Sequence, residues 1–328
     1  MKNVLKSRIL ICMLFILCMC SVLGGCAKKK KDGKIHVVCT TFPVYDWVKN
    51  IVGDSKDYEV ELLMDNGTDL HSFQPSAEDI VKVGEADVFI YIGGESDEWV
   101  GDVLKQAGNK DQIAINLMDV LGDKAKVEEL KEGMQEEDEH RDHDHDHDEE
   151  EEEYDEHIWL SLKNSKYLCE QIADVLKKKG DSKTIEKNVA AYVEKLEKLD
   201  EEFVDMIKNS KNKTVVFGDR FPFRYLVDDY GLDYYAAFAG CSADSEASFE
   251  TVVFLAKKLE EKKLGFVFVI DKSDKKLANA IIESCSDKNK EVLEIDSMQS
   301  TSKKEIDDGA SYLGIMEKNL KVLQKGLN

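Results

Sequence analysis

Eight short, apolar, β-branched runs, most of them followed by a helix-like stretch, constrain this 328-residue chain more than any other feature. They fall at residues 35–40, 58–64, 87–92 and 112–117, then at 214–217, 234–238, 266–270 and 291–295. Strands this short and apolar, separated by helices, predict parallel sheets covered on both faces. Four before the middle and four after predict an α/β chain of two lobes, each with a four-stranded parallel sheet. Between the groups, Ile185, Val189, Tyr192, Leu196, Leu199, Phe203 and Met206 recur at spacings of 4, 3, 4, 3, 4 and 3. That is the stripe of one amphipathic helix, about 40 Å long from Ser182 to Asn209 at 1.5 Å per residue. A coiled coil shares the pattern. A stretch of only four heptads between two α/β halves favours a helix laid across both lobes.

The N-terminus reads as a targeting segment. Lys2, Lys6 and Arg8 precede an apolar run of about 15 residues ending Leu23-Gly24-Gly25-Cys26, short for a membrane span and suited to a signal peptide. The ending resembles the lipobox of bacterial lipoproteins, which implies cleavage before Cys26 and acylation of its thiol. The expected organisation is a signal peptide 1–25, a lipidated tether 26–33, a first lobe 34–181, a linking helix 182–210 and a second lobe 211–328. Four cysteines follow the tether: Cys39, Cys169, Cys241 and Cys285. Their spacings match no zinc ribbon or CxxC motif, and a Cys241–Cys285 disulfide stays open.

Charge matters here because it is local. Residues 136–156 hold 15 acids against one arginine, so −14 of the net −22 lies in 21 residues. Such a chain is a poor partner for nucleic acid and suits cationic ligands. Within the segment 133–156, which has almost no apolar residues and is expected to be disordered without ligand, His140, His143, His145 and His147 alternate largely with aspartates. In an extended chain the last three share one face, a pattern for loose metal capture.

Of the remaining histidines, His36 sits inside the first strand and reads as structural. His71 lies in a turn-rich stretch after the second strand, and His157 just after the acidic segment. Asp296 directly follows the last strand. In open α/β sheets ligands bind beyond the carboxyl ends of the strands. Two imidazoles and a carboxylate gathered there suit a divalent transition metal.

Several motifs strengthen this. Leu70-His71-Ser72-Phe73-Gln74-Pro75-Ser76, Ala86-Asp87-Val88-Phe89-Ile90-Tyr91-Ile92-Gly93-Gly94, Glu156-His157-Ile158-Trp159-Leu160-Ser161 and a closing helix beginning Tyr312-Leu313-Gly314 are similar to stretches of the zinc- and manganese-binding solute-binding proteins of ABC importers. The acidic, His-rich segment resembles that of the zinc-type members. The resemblance covers nearly everything after Lys34. It implies two lobes joined by a stiff helix, metal in the cleft between them, and His71, His157 and Asp296 as ligands. One departure matters: the family's usual third histidine, after the first strand of the second lobe, is absent, and no histidine follows His157. Asp219, Cys241, Glu246 or a water could complete the shell; a thiolate would favour zinc over manganese.

The expectation is therefore a monomeric, lipid-anchored, extracytoplasmic carrier of zinc, or else of manganese, serving an ABC permease and its ATPase. A surface metal buffer or adhesin without a transporter is the second reading. A metallohydrolase is the third, disfavoured because no His-Glu-x-x-His or Gly-x-Ser-x-Gly is present.

Overall fold

The computed structural model describes residues 33–107, 109–135, 153–242 and 247–328. Cys26, the histidines His140, His143, His145 and His147, and Glu246 lie outside the described residues.

All eight runs form strands: β1 (Ile35–Cys39), β2 (Tyr58–Leu62), β3 (Val88–Tyr91), β4 (Ile113–Asn116), β5 (Thr214–Phe221), β6 (Asp233–Ala239), β7 (Phe266–Ile270) and β8 (Glu291–Ile295). They build two wholly parallel four-stranded sheets, ordered β2-β1-β3-β4 and β6-β5-β7-β8. The same winding thus occurs twice. Parallel pairing places the carboxyl ends of each sheet's strands along one rim, and the strand order reverses beside β1 in one sheet and β5 in the other, the position where α/β sheets open a crevice.

The helices are α1 (Phe42–Val52), α2 (Ala77–Glu85), α3 (Trp99–Gln106), α4 (Leu117–Leu121), α5 (Leu162–Leu176), α6 (Ser182–Asn209), α7 (Arg224–Tyr230), α8 (Phe249–Glu261), α9 (Lys276–Ser284), α10 (Lys303–Asp307) and α11 (Tyr312–Gly326). Several starts are written locally. Ser76 and Asp79 cap α2 reciprocally, and Asp181 accepts from the backbone N–H groups of Lys183 and Thr184 at the head of α6; such caps satisfy donors that the helix itself cannot.

Helix α6 has the bounds its stripe predicts. Ile185, Tyr192, Leu196, Leu199 and Phe203 are buried, with Val189 and Met206 packed at the margin. It lies against α1, α5 and α11. One continuous apolar core runs from Val37 and Ile90 of the first sheet, through Leu196 and Phe203, to Phe217 and Phe268 of the second. Among the described residues no helix is long and apolar enough to cross a membrane.

Two differences from the sequence reading stand out. Strand β5 continues four residues past its apolar run, with a shift of register between Phe217 and Arg220. The polar Gly218-Asp219-Arg220 ends the hydrophobic signal but not the ladder, and bulged strands often re-aim side chains beside sites. The four cysteines are free thiols, so the Cys241–Cys285 bridge is not formed. Cys285 is buried by α9, its Sγ 3.4 Å from the Ile281 carbonyl oxygen.

Candidate metal centre

His71 stands in a single 3-10 turn, Leu70–Ser72, in the loop that leaves β2. Asp69 caps the turn, its Oδ1 accepting from the His71 N–H at 3.0 Å. The other oxygen of Asp69 accepts from Arg220 Nη2 of β5 at 2.7 Å, so an ion pair to the second sheet steadies the histidine of the first. The His71 ring has Nδ1 3.0 Å from Ser96 Oγ, which leaves Nε2 facing inward. Burial, and then the neighbouring His157, push its pKa down to about 3, so the imidazole stays neutral and its lone pair available.

His157 is fully buried and opens the turn Ile158–Leu160. Asp155, two residues earlier and itself 2% exposed, accepts from both its backbone N–H and its Nδ1, at 2.8 and 2.9 Å. Burial resists charging this ring, but the Asp155 carboxylate outweighs it and raises the pKa. The Nδ1 bond turns Nε2 toward His71, and such carboxylate–imidazole pairs orient metal-binding histidines. The end of β6 passes close over the ring at Gly240, where an added Cβ would meet His157 Cε1 at 3.1 Å and the Phe221 carbonyl oxygen at 2.9 Å; only glycine fits between them without displacing backbone. Trp159 Nε1 donates to the Ser297 carbonyl at 2.9 Å and locks the histidine turn to the loop after β8.

Cys241 follows β6 after a single residue, Gly240. Its N–H donates to Glu128 Oε1 at 3.1 Å, and its Sγ lies within 4.8 Å of nitrogens of both His71 and His157. Among the described residues, His71, His157 and Cys241 form the one cluster of ligating side chains able to hold a metal. The thiol's pKa is raised by burial and by Glu128, Asp155 and Glu156, and a bound cation would reverse that by stabilising the thiolate. The two Nε2 atoms are 3.2 Å apart, and two Zn–N bonds of about 2.0–2.1 Å at a tetrahedral angle span about 3.3 Å.

Gln299, in the loop after β8, reaches the same point. Its Nε2 lies 2.9 Å from His71 Nε2 and 2.7 Å from His157 Nε2. The sequence reading missed it, although it obeys the same carboxyl-end rule that picked out Asp296. Asp296 is not in the ligand cluster. Its Oδ1 accepts from the N–H of Met298 at 2.9 Å, and Met298 has a left-handed φ of 61°. Burial and the nearby Asp271 push its pKa up to about 7. Asp296 thus shapes the turn that delivers Gln299. Asp219 also stays outside the cluster: its Oδ1 accepts from the N–H of Arg220 at 2.9 Å, while the Arg220 side chain goes to Asp69 instead of to its neighbour.

A family model described as zinc-uptake complex component A, periplasmic (ZnuA), matches residues 37–326. The zinc-binding lipoprotein AdcA of Streptococcus pneumoniae strain R6 is 32% identical over 311 residues, covering 94% of this chain and 59% of AdcA. The chain therefore spans about six tenths of that relative. The high-affinity zinc uptake system protein ZnuA of Bacillus subtilis strain 168 is 33% identical over 305 residues, covering 92% of this chain and 90% of that one. Among solved structures, the Zn(II)-bound ZnuA-like domain of Streptococcus pneumoniae AdcA is 30% identical with a TM-score of 0.69, over 90% of this chain and 99% of that domain. With the repeated parallel sheets, the long helix and a family match running almost from β1 to the end of α11, this chain belongs to the family of zinc-uptake complex component A.

Proposed function

We propose that this chain captures one zinc ion outside the cytoplasm and delivers it to the permease of an ABC importer, holding it through His71, His157 and Cys241. The convergence of two imidazole nitrogens and one thiol within 4.8 Å carries the reading. A thiolate beside two imidazoles is a borderline-soft donor set, which suits zinc and disfavours manganese, an ion that prefers oxygen. The zinc carried by the family's named relatives agrees with this choice. Cys241 takes the place left by the histidine that the chain lacks. Asp296 contributes by holding the Gln299 loop, and neither Asp219 nor Glu246 is required.

In this reading the chain is a monomer held at the membrane by a lipid on Cys26. His140, His143, His145 and His147 collect zinc near the site without forming it, and the protein turns over no substrate. The test is calorimetric titration with zinc and with manganese. Zinc should bind tightly at one equivalent, with affinity lost in His71→Ala, His157→Ala and Cys241→Ser; manganese binding more tightly than zinc would move the assignment to the manganese branch.

A further inference from the structure

A thiol in place of a third imidazole changes more than the fit to zinc. His71 and His157 turn their Nε2 atoms toward one point, 3.2 Å apart, and Cys241 Sγ lies within 4.8 Å of nitrogens of both rings. Two imidazoles and one thiolate on a single ion are the donor set of blue copper sites, which need only a weak further contact. For one fixed set of nitrogen, oxygen and sulfur donors, affinity along the first-row divalent ions also rises to copper and falls again at zinc.

Copper(II) ordinarily consumes thiols: two thiolates give one electron each to two copper(II) ions and join as a disulfide. The fold withholds the second thiolate. Among the described residues, Cys39 and Cys169 are enclosed in the main core and Cys285 in the second sheet's own core, and none of the three belongs to the ligand cluster. Cys241 is half-buried beside the wholly buried His157, a poor target for the thiol of a second chain. The surroundings also favour the higher charge on the metal. Glu128, Asp155 and Glu156 set negative charge around the sulfur, and anionic neighbours stabilise a dication more than a monocation. The backbone N–H of Glu156 points at Sγ, and hydrogen bonds to the cysteine sulfur are one way such copper sites are tuned.

We propose that His71, His157 and Cys241 also capture copper, holding one copper(II) ion as a stable thiolate complex in place of zinc. This deepens the function proposed above and rests on its ligand set. Copper competes with zinc for the carrier, and where the two ions are equally free the carrier fills with copper. The acidic segment does not share this chemistry, because residues 133–156 hold four histidines and no cysteine.

The test adds copper(II) to the full chain and follows visible absorption. Copper on the thiolate should give an intense sulfur-to-copper charge-transfer band, which copper on the histidines of the acidic segment does not produce. The band should be lost in Cys241→Ser. With free copper and free zinc buffered at equal concentrations, it should reach at least about nine tenths of its full height. Copper bound to wild type without the band, a band that survives in Cys241→Ser, or zinc keeping the site at equal free concentrations would overturn the proposal. So would a band that fades as disulfide-linked chains appear. If Cys241→Ser weakens zinc while wild type shows no band, only this inference fails. If Cys241→Ser binds zinc normally, the ligand set itself falls and the copper site with it.

Discussion

Asp155 Oδ1 accepts two hydrogen bonds from His157, one from its backbone N–H at 2.8 Å and one from its ring Nδ1 at 2.9 Å. A single buried oxygen therefore fixes both the position of the residue and the tautomer of its ring. Removing it should free the imidazole to turn without touching any ligand atom. Asp155→Ala is expected to weaken zinc binding by about 10- to 100-fold, the usual cost of losing such a partner, and Asp155→Asn by less, since the amide oxygen still accepts. Competition titration against a chelator of known affinity measures both.

Zinc binding should release protons in a pattern set by the three ligands. His71 is pushed down to about 3, so it is neutral when the metal arrives and contributes none. The Cys241 thiol is raised, so it binds as thiolate only by losing its proton, giving close to one proton per zinc at alkaline pH. His157 is also raised, so a second proton is displaced as pH falls through its titration. Affinity should then decline with falling pH from the alkaline side onward, and more steeply once His157 charges, above the ordinary histidine value of about 6.5. Calorimetry in two buffers of different ionisation enthalpy counts the protons, and Cys241→Ser should abolish the alkaline one.

The Asp69–Arg220 pair offers a graded test of how the second sheet supports His71. Asp69 does two things: it caps the His71 turn and pairs with Arg220 at 2.7 Å. Arg220→Gln removes only the ion pair, which is partly exposed at 18% and 26%, and should cost zinc affinity a few-fold at most. Asp69→Ala removes both, adding the loss of a cap of about 0.5–2 kcal/mol. The order wild type, Arg220→Gln, Asp69→Ala in falling zinc affinity is the expected result; equal effects would show that the cap contributes nothing.

Away from the metal, Asp46 of α1 predicts a pH dependence of folding. It accepts from the Tyr312 N–H at 3.2 Å and from the Tyr192 hydroxyl at 3.3 Å. Burial nonetheless pushes its pKa up from 3.8 to about 6. A carboxyl with a raised folded-state pKa contributes most below its unfolded value, and that contribution is lost as pH rises toward 6 and stays lost above it. Asp46→Asn should therefore be more stable than wild type at pH 8, by up to about 3 kcal/mol. The gain should shrink to nothing near pH 4. Urea unfolding of both proteins across that range checks the slope.

The architecture was legible because its signals are local. Most strands are short runs dominated by apolar residues, with glutamates interspersed in β2 and β8, and α6 announces itself through a seven-residue stripe that the structure buries along one face. The tail of β5 was not, because Asp219 and Arg220 interrupt the hydrophobic pattern while the ladder continues. At the site, His71 could be named from residue chemistry and its place after a strand and His157 from its place after the acidic segment, while Cys241 stood as one of three candidates with Asp219 and Glu246. Asp296 and Gln299 lie three residues apart in one polar loop, and sequence alone cannot say which side chain points inward. The left-handed turn at Met298 decides it, and no residue type in that loop signals that turn. The Asp69–Arg220 bond spans 151 positions, beyond the reach of any spacing rule.

The unbroken core along α6 has a consequence for how a loaded carrier is told from an unloaded one. A helix of 28 residues, sharing one apolar interior with both sheets, resists the wide bending by which many two-lobed receptors announce their cargo. In the proposed delivery, the news of capture has to travel as a change of texture on a fixed shape. Its carriers are the loop around His71, the turn at His157 and the braced strip from Asp296 to Thr301. A receiving permease would distinguish the two states by how firmly those few segments are held, as a fingertip tells a taut string from a slack one.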